Sequence, residues 1–306
     1  MHRTLAKSVE LTGVGLHGGQ SVRMNVIPAD ARTGIVFERT DVPNGRIPAR
    51  FDLVCDTMLC TRLSNDFGVS VGTVEHLMAA FAGCGISDAV VRLDGPEVPI
   101  MDGSSAIFVD AFSTVGTIAL GERRAAIKIL EPVAVRLGDR FAELSPADRF
   151  EMSFMIDFED RAIGVQSHQM SLVNGAFVDE LSDCRTFGRL AEVEQLRAAG
   201  LGRGGNLTNA IVVDDGRVLN PDGLRRPDEF VRHKMLDAVG DLALAGAPII
   251  GRYTAEKAGH EITNLLLREL FDRPDAWMWD HMSADQGLNG LVGSRAPAEP
   301  AQSVAV

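Results

Sequence analysis

The chain is poor in cysteine, in long apolar runs and in positive charge. Four of its 306 residues are cysteine (Cys55, Cys60, Cys84 and Cys184), and none forms a Cys-x-x-Cys pair. This argues against a disulfide framework and makes soft thiolate metal ligation by Cys55 and Cys60 the lesser reading; reduced thiols acting as small buried hydrophobes are expected. No apolar stretch approaches the roughly 18 residues that a membrane helix needs. The N-terminus enters a strand-like pattern without an apolar signal core, so a soluble, cytoplasmic protein is expected. Lys and Arg number 30 against 42 Asp and Glu, a net charge of −12. That balance argues against nucleic acid as a partner, because non-specific binding relies on cations that neutralise phosphates. A few local cations would still hold an anionic small molecule.

What is present is ordinary globular composition, 45% apolar and 24% charged, in a chain long enough for two domains. Alternation predicts strands at 8–11, 21–26, 89–93, 126–129, 133–137, 141–144 and 152–158. Gly13, Gly15 and Gly18 match a dinucleotide fingerprint by spacing, but an alternating segment follows where that motif needs a helix; a hairpin is the better reading. Helices are expected at 73–81 with Thr73 as N-cap, from 103 to about 115, from 228 to 245, and from 260 to 271. Strands followed by helices, twice over, indicate an α+β fold. The expected domains are 1–122 and 123–294, the second with an insertion at 188–221, and then a disordered tail at 295–306.

The chemistry concentrates in His233-Lys-Met-Leu-Asp237-Ala-Val-Gly-Asp241. On a helix, residues four apart stack on one face, so His233 and Asp237 are able to grip one ion, and Asp241 continues that face. The same spacing also describes a solvated ion pair. A catalytic zinc normally takes three protein ligands plus water, so a third must come from elsewhere. Glu75-His76 is the leading candidate, with His76 ligating and Glu75 acting as general base. His260 opens a helix, whose N-terminus disfavours imidazolium; an acidic partner such as Asp241 would keep it protonated. Thr186, in Cys184-Arg-Thr-Phe-Gly188, would polarise an oxyanion or be an ordinary strand residue.

Several long segments, in order, resemble one family, the UDP-3-O-acyl-N-acetylglucosamine deacetylases, zinc amidases of lipid A biosynthesis. They are Thr12–His17, Asp56–Thr61, Thr73–Leu77, Val98–Ser104, Arg185–Gly188, Ala210–Asp215, Asp228–Asp237 and Gly259-His260. The resemblance implies His76, His233 and Asp237 as ligands for Zn²⁺, with Fe²⁺ compatible with the same donors. It implies Glu75 as base and His260, oriented by Asp241, as acid. Thr186 would meet the tetrahedral intermediate. Phe158 would stack on uracil, Lys234 would meet the diphosphate, and Cys60 and Phe187 would also touch substrate. The implied fold is two similar α+β domains with helices packed between two outer sheets, each domain bearing an insertion, the second forming an acyl passage. The implied substrate is a nucleotide-sugar lipid precursor, UDP-3-O-(3-hydroxyacyl)-N-acetylglucosamine, and a monomer is expected. Arg189, Arg203 and Asn209 depart from the family pattern near that passage.

Overall fold

Strand alternation sets one face of each large sheet inward. In Ser21–Pro28, Val22, Met24 and Val26 are buried between less buried neighbours. In Phe150–Asp157 the buried set is Phe150, Met152, Phe154 and Ile156. A two-residue side-chain period needs only one apolar side to cover, and the helices supply the cover. The computed structural model describes residues 1–173 and 175–281; the expected tail at 295–306 lies outside the described residues.

The N-terminal sheet has five strands in the order Val9–Val14, Ser21–Pro28, Ala89–Leu93, Ile35–Arg39 and Arg46–Pro48. Val9–Val14 and Ser21–Pro28 form the hairpin, paired from Val9↔Val26 to Val14↔Ser21. A small three-stranded sheet, Val54–Asp56, Arg62–Ser64 and Ser70–Val71, stands beside it. The C-terminal sheet has seven strands. Its spine is Ile249–Glu256, which pairs antiparallel with Arg140–Ser145 and parallel with both Phe150–Asp157 and Ala125–Ile129.

The helices of the described residues are α1 (Glu75–Gly83), α2 (Ala106–Val115), α3 (Ala176–Glu180), α4 (Leu190–Ala198), α5 (Glu229–Ala243) and α6 (His260–Asp272). α4 belongs to the insertion, where it connects the parallel strands Phe187–Arg189 and Ile211–Asp214; Arg217–Val218 completes that sheet. Among the described residues no helix is long and apolar enough to cross a membrane.

α1 is buried almost all round, Glu75 and His76 included. A helix without a solvent face must be central, and α1 packs against α5. The crossing is tight enough that a side chain at Gly240 of α5 would collide with the Glu75 carbonyl. α1 starts later than expected. Val74 holds the position before its first turn, while Thr73 has a positive φ of 56° and donates its hydroxyl to Glu97 Oε1, so Thr73 does not cap the helix.

Gly→Ala inside a helix ordinarily gains about 1 kcal/mol. Here the new methyl meets backbone that cannot rotate away, and overpacking costs about 1–3 kcal/mol. Gly240→Ala is therefore expected to lower the Tm in thermal unfolding; an unchanged or raised Tm would contradict the close crossing.

Candidate metal centre and active site

Helix geometry brings His233 and Asp237 together, and the α1–α5 crossing adds His76. His233 Nε2 lies 3.3 Å from Asp237 Oδ1, and His76 Nε2 lies 3.4 Å from the same oxygen. Ligand atoms of the three residues all fall within 4.8 Å of one another, and all three side chains are buried. His233 Nδ1 is 3.0 Å from the Cys184 carbonyl. A carbonyl only accepts, so Nδ1 carries the hydrogen and Nε2 turns a lone pair toward Asp237. Burial pushes the His233 imidazole down to about 3, which keeps it neutral. Asp237 Oδ1 has no hydrogen-bond partner among the described residues. Burial opposes ionisation of Asp237, but the Lys234 ammonium, 2.7 Å from Oδ2, holds its carboxyl well below the usual range. An ionised oxygen facing an imidazole lone pair is repulsive unless a cation sits between them. The donor set, two imidazoles and a carboxylate, suits Zn²⁺.

Glu75 and His260 flank these donors. Glu75 Oε2 accepts the Thr61 N–H at 3.0 Å, which leaves Oε1 toward His260 Nε2, 3.9 Å away. Burial raises the Glu75 carboxyl, and the nearby His260 and His76 only partly offset that. His260 Nδ1 is 2.8 Å from Asp241 Oδ2. Burial at a helix N-terminus works against an imidazolium, yet the Asp241 carboxylate outweighs it and lifts His260 to about 9. Thr61 Oγ1 donates to the other Asp241 oxygen.

A sequence model of the UDP-3-O-acyl N-acetylglycosamine deacetylases (LpxC) matches residues 2–272. The chain belongs to this family. A relative from Phenylobacterium zucineum (strain HLK1), named UDP-3-O-acyl-N-acetylglucosamine deacetylase, is 53% identical over 267 residues, 87% of this chain and 91% of its own length. Relatives of the same name from Shewanella frigidimarina (strain NCIMB 400) and Histophilus somni (strain 129Pt) are 48% and 47% identical over 278 residues, each covering 90% of this chain and 91% of the relative.

In this LpxC-family chain, a cleft of about 210 Å³ runs over the donors, with Phe158, Thr186, Phe187 and Lys234 on its walls. Thr186 is fixed from both sides: its N–H donates to Gly103 and its carbonyl accepts from Ile211. Gly103 has a φ of +84°, and a side chain there would strike the Asn209 carbonyl, so only glycine fits. The Phe158 and Phe187 rings meet edge to face at 5.6 Å. Lys234 is tied to Asp237 Oδ2.

Cys60 is placed differently from its neighbours. It is buried, and burial pushes its thiol up to about 12, so it stays neutral. Leu59 is on the cleft wall, and Thr61 serves Glu75 and Asp241. Cys55, expected to be buried, is exposed. Leu59 and Thr61 were not singled out as functional residues in sequence, because neither type stands out in a loop; their signal was membership of the family-like segment Asp56–Thr61, beside Cys60. Asn209 is buried, with its amide on the Asn206 N–H and the Gly204 carbonyl, and Arg189 pairs with Glu192.

Metal-stripped protein titrated with Zn²⁺ should gain stability as the ion binds the folded state, about 2.7 kcal/mol at 100-fold excess over Kd. Asp237→Asn and His233→Gln should each abolish that gain in a thermal-shift titration. Stabilisation retained by both variants would place the ion elsewhere.

Proposed function

We propose that the chain hydrolyses the N-acetyl group of UDP-3-O-(3-hydroxyacyl)-N-acetylglucosamine, giving acetate and the free 2-amino sugar in lipid A biosynthesis. The observation that carries this reading is the convergence of His76, His233 and Asp237 beside Glu75 and His260, at the floor of a cleft that opens into an apolar cavity. Family membership supports the same substrate. A divalent cation held by His76, His233 and Asp237, zinc by the chemistry of the donors, supplies Lewis acidity toward water and the acyl oxygen when bound.

The remaining steps belong to side chains. Glu75 Oε1, left free by the Thr61 contact to Oε2, takes a proton from the attacking water as its oxygen bonds to the acetyl carbon. A carboxyl raised by burial is the stronger base for this step. The Thr186 hydroxyl, which also lines the cleft, donates to the developing oxyanion. The C–N bond then breaks, and the amine nitrogen takes its proton from His260 Nε2. Asp241 holds the other ring nitrogen and so fixes both the charge and the direction of that proton. Phe158 stacks on the uracil. Lys234 fixes Asp237 and turns its remaining N–H groups to the diphosphate. The nucleotide moiety of the substrate implies action in the cytoplasm.

The direct test is acetate release from that substrate, with and without chelator; no acetate from metal-loaded protein would refute the reading. Glu75→Gln should lower kcat about 10²–10⁴-fold. His260→Ala should also lower kcat, with metal content by elemental analysis unchanged. If metal and kcat fall together in His260→Ala, the assigned role is wrong. His260 contributes in its protonated form, so activity should fall as pH rises through about 9. Asp241→Asn removes the charge that sustains the imidazolium, so the alkaline limb of the pH–kcat profile should move to lower pH. An unmoved limb would assign it to another group.

A further inference from the structure

The active-site cleft is continuous with a larger cavity of about 670 Å³. Leu16, Leu59, Thr186, Phe187, Gly188 and Glu192 border both. On the proposed reading this cavity takes the acyl chain. Most of its wall is apolar; Thr186 sits at the border with the cleft, and the polar members Glu192, Gln195, Arg197 and Asn206 are exposed. His17 is different. It follows Leu16 directly, borders the cavity alone, and is only 7% exposed.

Its backbone is held on two sides. The His17 and Gly18 N–H groups donate to Glu97 Oε1 and Oε2, at 2.9 and 3.0 Å. From the insertion, the Arg203 N–H reaches the His17 carbonyl and the Gly204 N–H reaches the Leu16 carbonyl. Its ring is left bare: both nitrogens are buried without a hydrogen-bond partner among the described residues. No other described side chain has two such atoms. Leaving a buried polar group unpaired costs free energy, so a ring held this firmly without partners is prepared for a partner that arrives with a ligand.

We propose that His17 reads a hydroxyl group on the acyl chain, near the end by which the chain is esterified to the sugar. A neutral imidazole offers one donor and one acceptor, and a hydroxyl complements either. Burial lowers the His17 imidazole, which keeps it in that neutral form. The position follows from the wall. The reacting amide must lie over the metal donors, the chain must enter across the border that Leu16 shares, and His17 is the next residue. An unsubstituted methylene there leaves the ring unpaired, so the site discriminates against a chain lacking the hydroxyl.

This inference rests on the deacetylase reading, and the test separates the two. Acetate release is measured for two substrates that differ only in a 3-hydroxytetradecanoyl or a tetradecanoyl chain. Wild type should favour the hydroxylated substrate in kcat/KM by ~10-fold, the worth of one buried hydrogen bond. The ratio should fall to about one in His17→Leu, whose apolar side chain has no polar atoms to satisfy, and part of it should return in His17→Gln, which keeps a donor and an acceptor. A ratio near one in wild type, or an undiminished ratio in His17→Leu, would overturn the assignment. Direct binding of free 3-hydroxytetradecanoate and tetradecanoate forms the second arm. If neither substrate yields acetate, the deacetylase reading falls, and the binding preference alone decides the role of His17: a preference lost in His17→Leu supports it, and no preference in wild type overturns it.

Discussion

The close crossing of α1 on α5 is the constraint on which the rest depends. At that point the Glu75 carbonyl lies where any side chain at Gly240 would be. Backbones this near leave no room for an intervening layer, so the polar residues flanking the contact must face one another. His76 comes from one helix, and His233, Asp237 and Asp241 from the other. The helices cannot separate without opening the core, because both are buried nearly throughout. Packing thus serves as the positioning device for the chemistry, and the small residue at 240 is as much a part of the site as the imidazoles.

Charge is arranged around that contact so that each buried ionisable group has a defined state. His233 is neutral because burial outweighs the pull of the Cys184 carbonyl on its Nδ1 hydrogen. His260 is cationic because Asp241 answers it. Asp237 is divided, with one oxygen on Lys234 and the other bare toward two imidazoles. Two histidines of similar burial therefore carry opposite assignments, and the difference lies in whether a carbonyl or a carboxylate stands behind the ring. The bare carboxylate oxygen and the bare ring of His17 are the same kind of feature. Each is a buried polar atom that the fold holds in place and does not itself satisfy.

The parts of this arrangement that repeat locally were legible in the sequence. The i, i+4 spacing of His233 and Asp237 requires only a helix, and the flanking pattern supplied one. The strand Ala89–Leu93 matched its alternation, and both ends of α6 fell within a residue of expectation. The meeting of His76 with His233 is a tertiary fact: the need for a third donor made His76 a candidate, the family resemblance assigned it, and no spacing along the chain could show the contact. The roles of Thr61, Leu59 and Glu97 are tertiary too, because their importance depends on what stands opposite them. Thr73 was misjudged because a threonine ahead of a helix is a common cap, while here a buried carboxylate from another segment claims its hydroxyl. The strands Val165–Ser171 and Trp277–His281 were missed altogether. The first is a polar strand without a buried face, and the second, Trp-Met-Trp-Asp-His, opens on three apolar residues and has no fully buried position, so it shows no alternation.

The order of donors along the chain has a consequence for biogenesis. During synthesis α1 leaves the ribosome long before α5 exists. With nine residues it is too short to persist alone, since isolated helices below about 12 residues are marginal in water. The nascent N-terminal half therefore offers a lone imidazole on an unformed element, and no chelate. Any ion must be acquired after most of the polypeptide has emerged, when the two halves close on each other. Supply of the inorganic partner is in this way separated from translation.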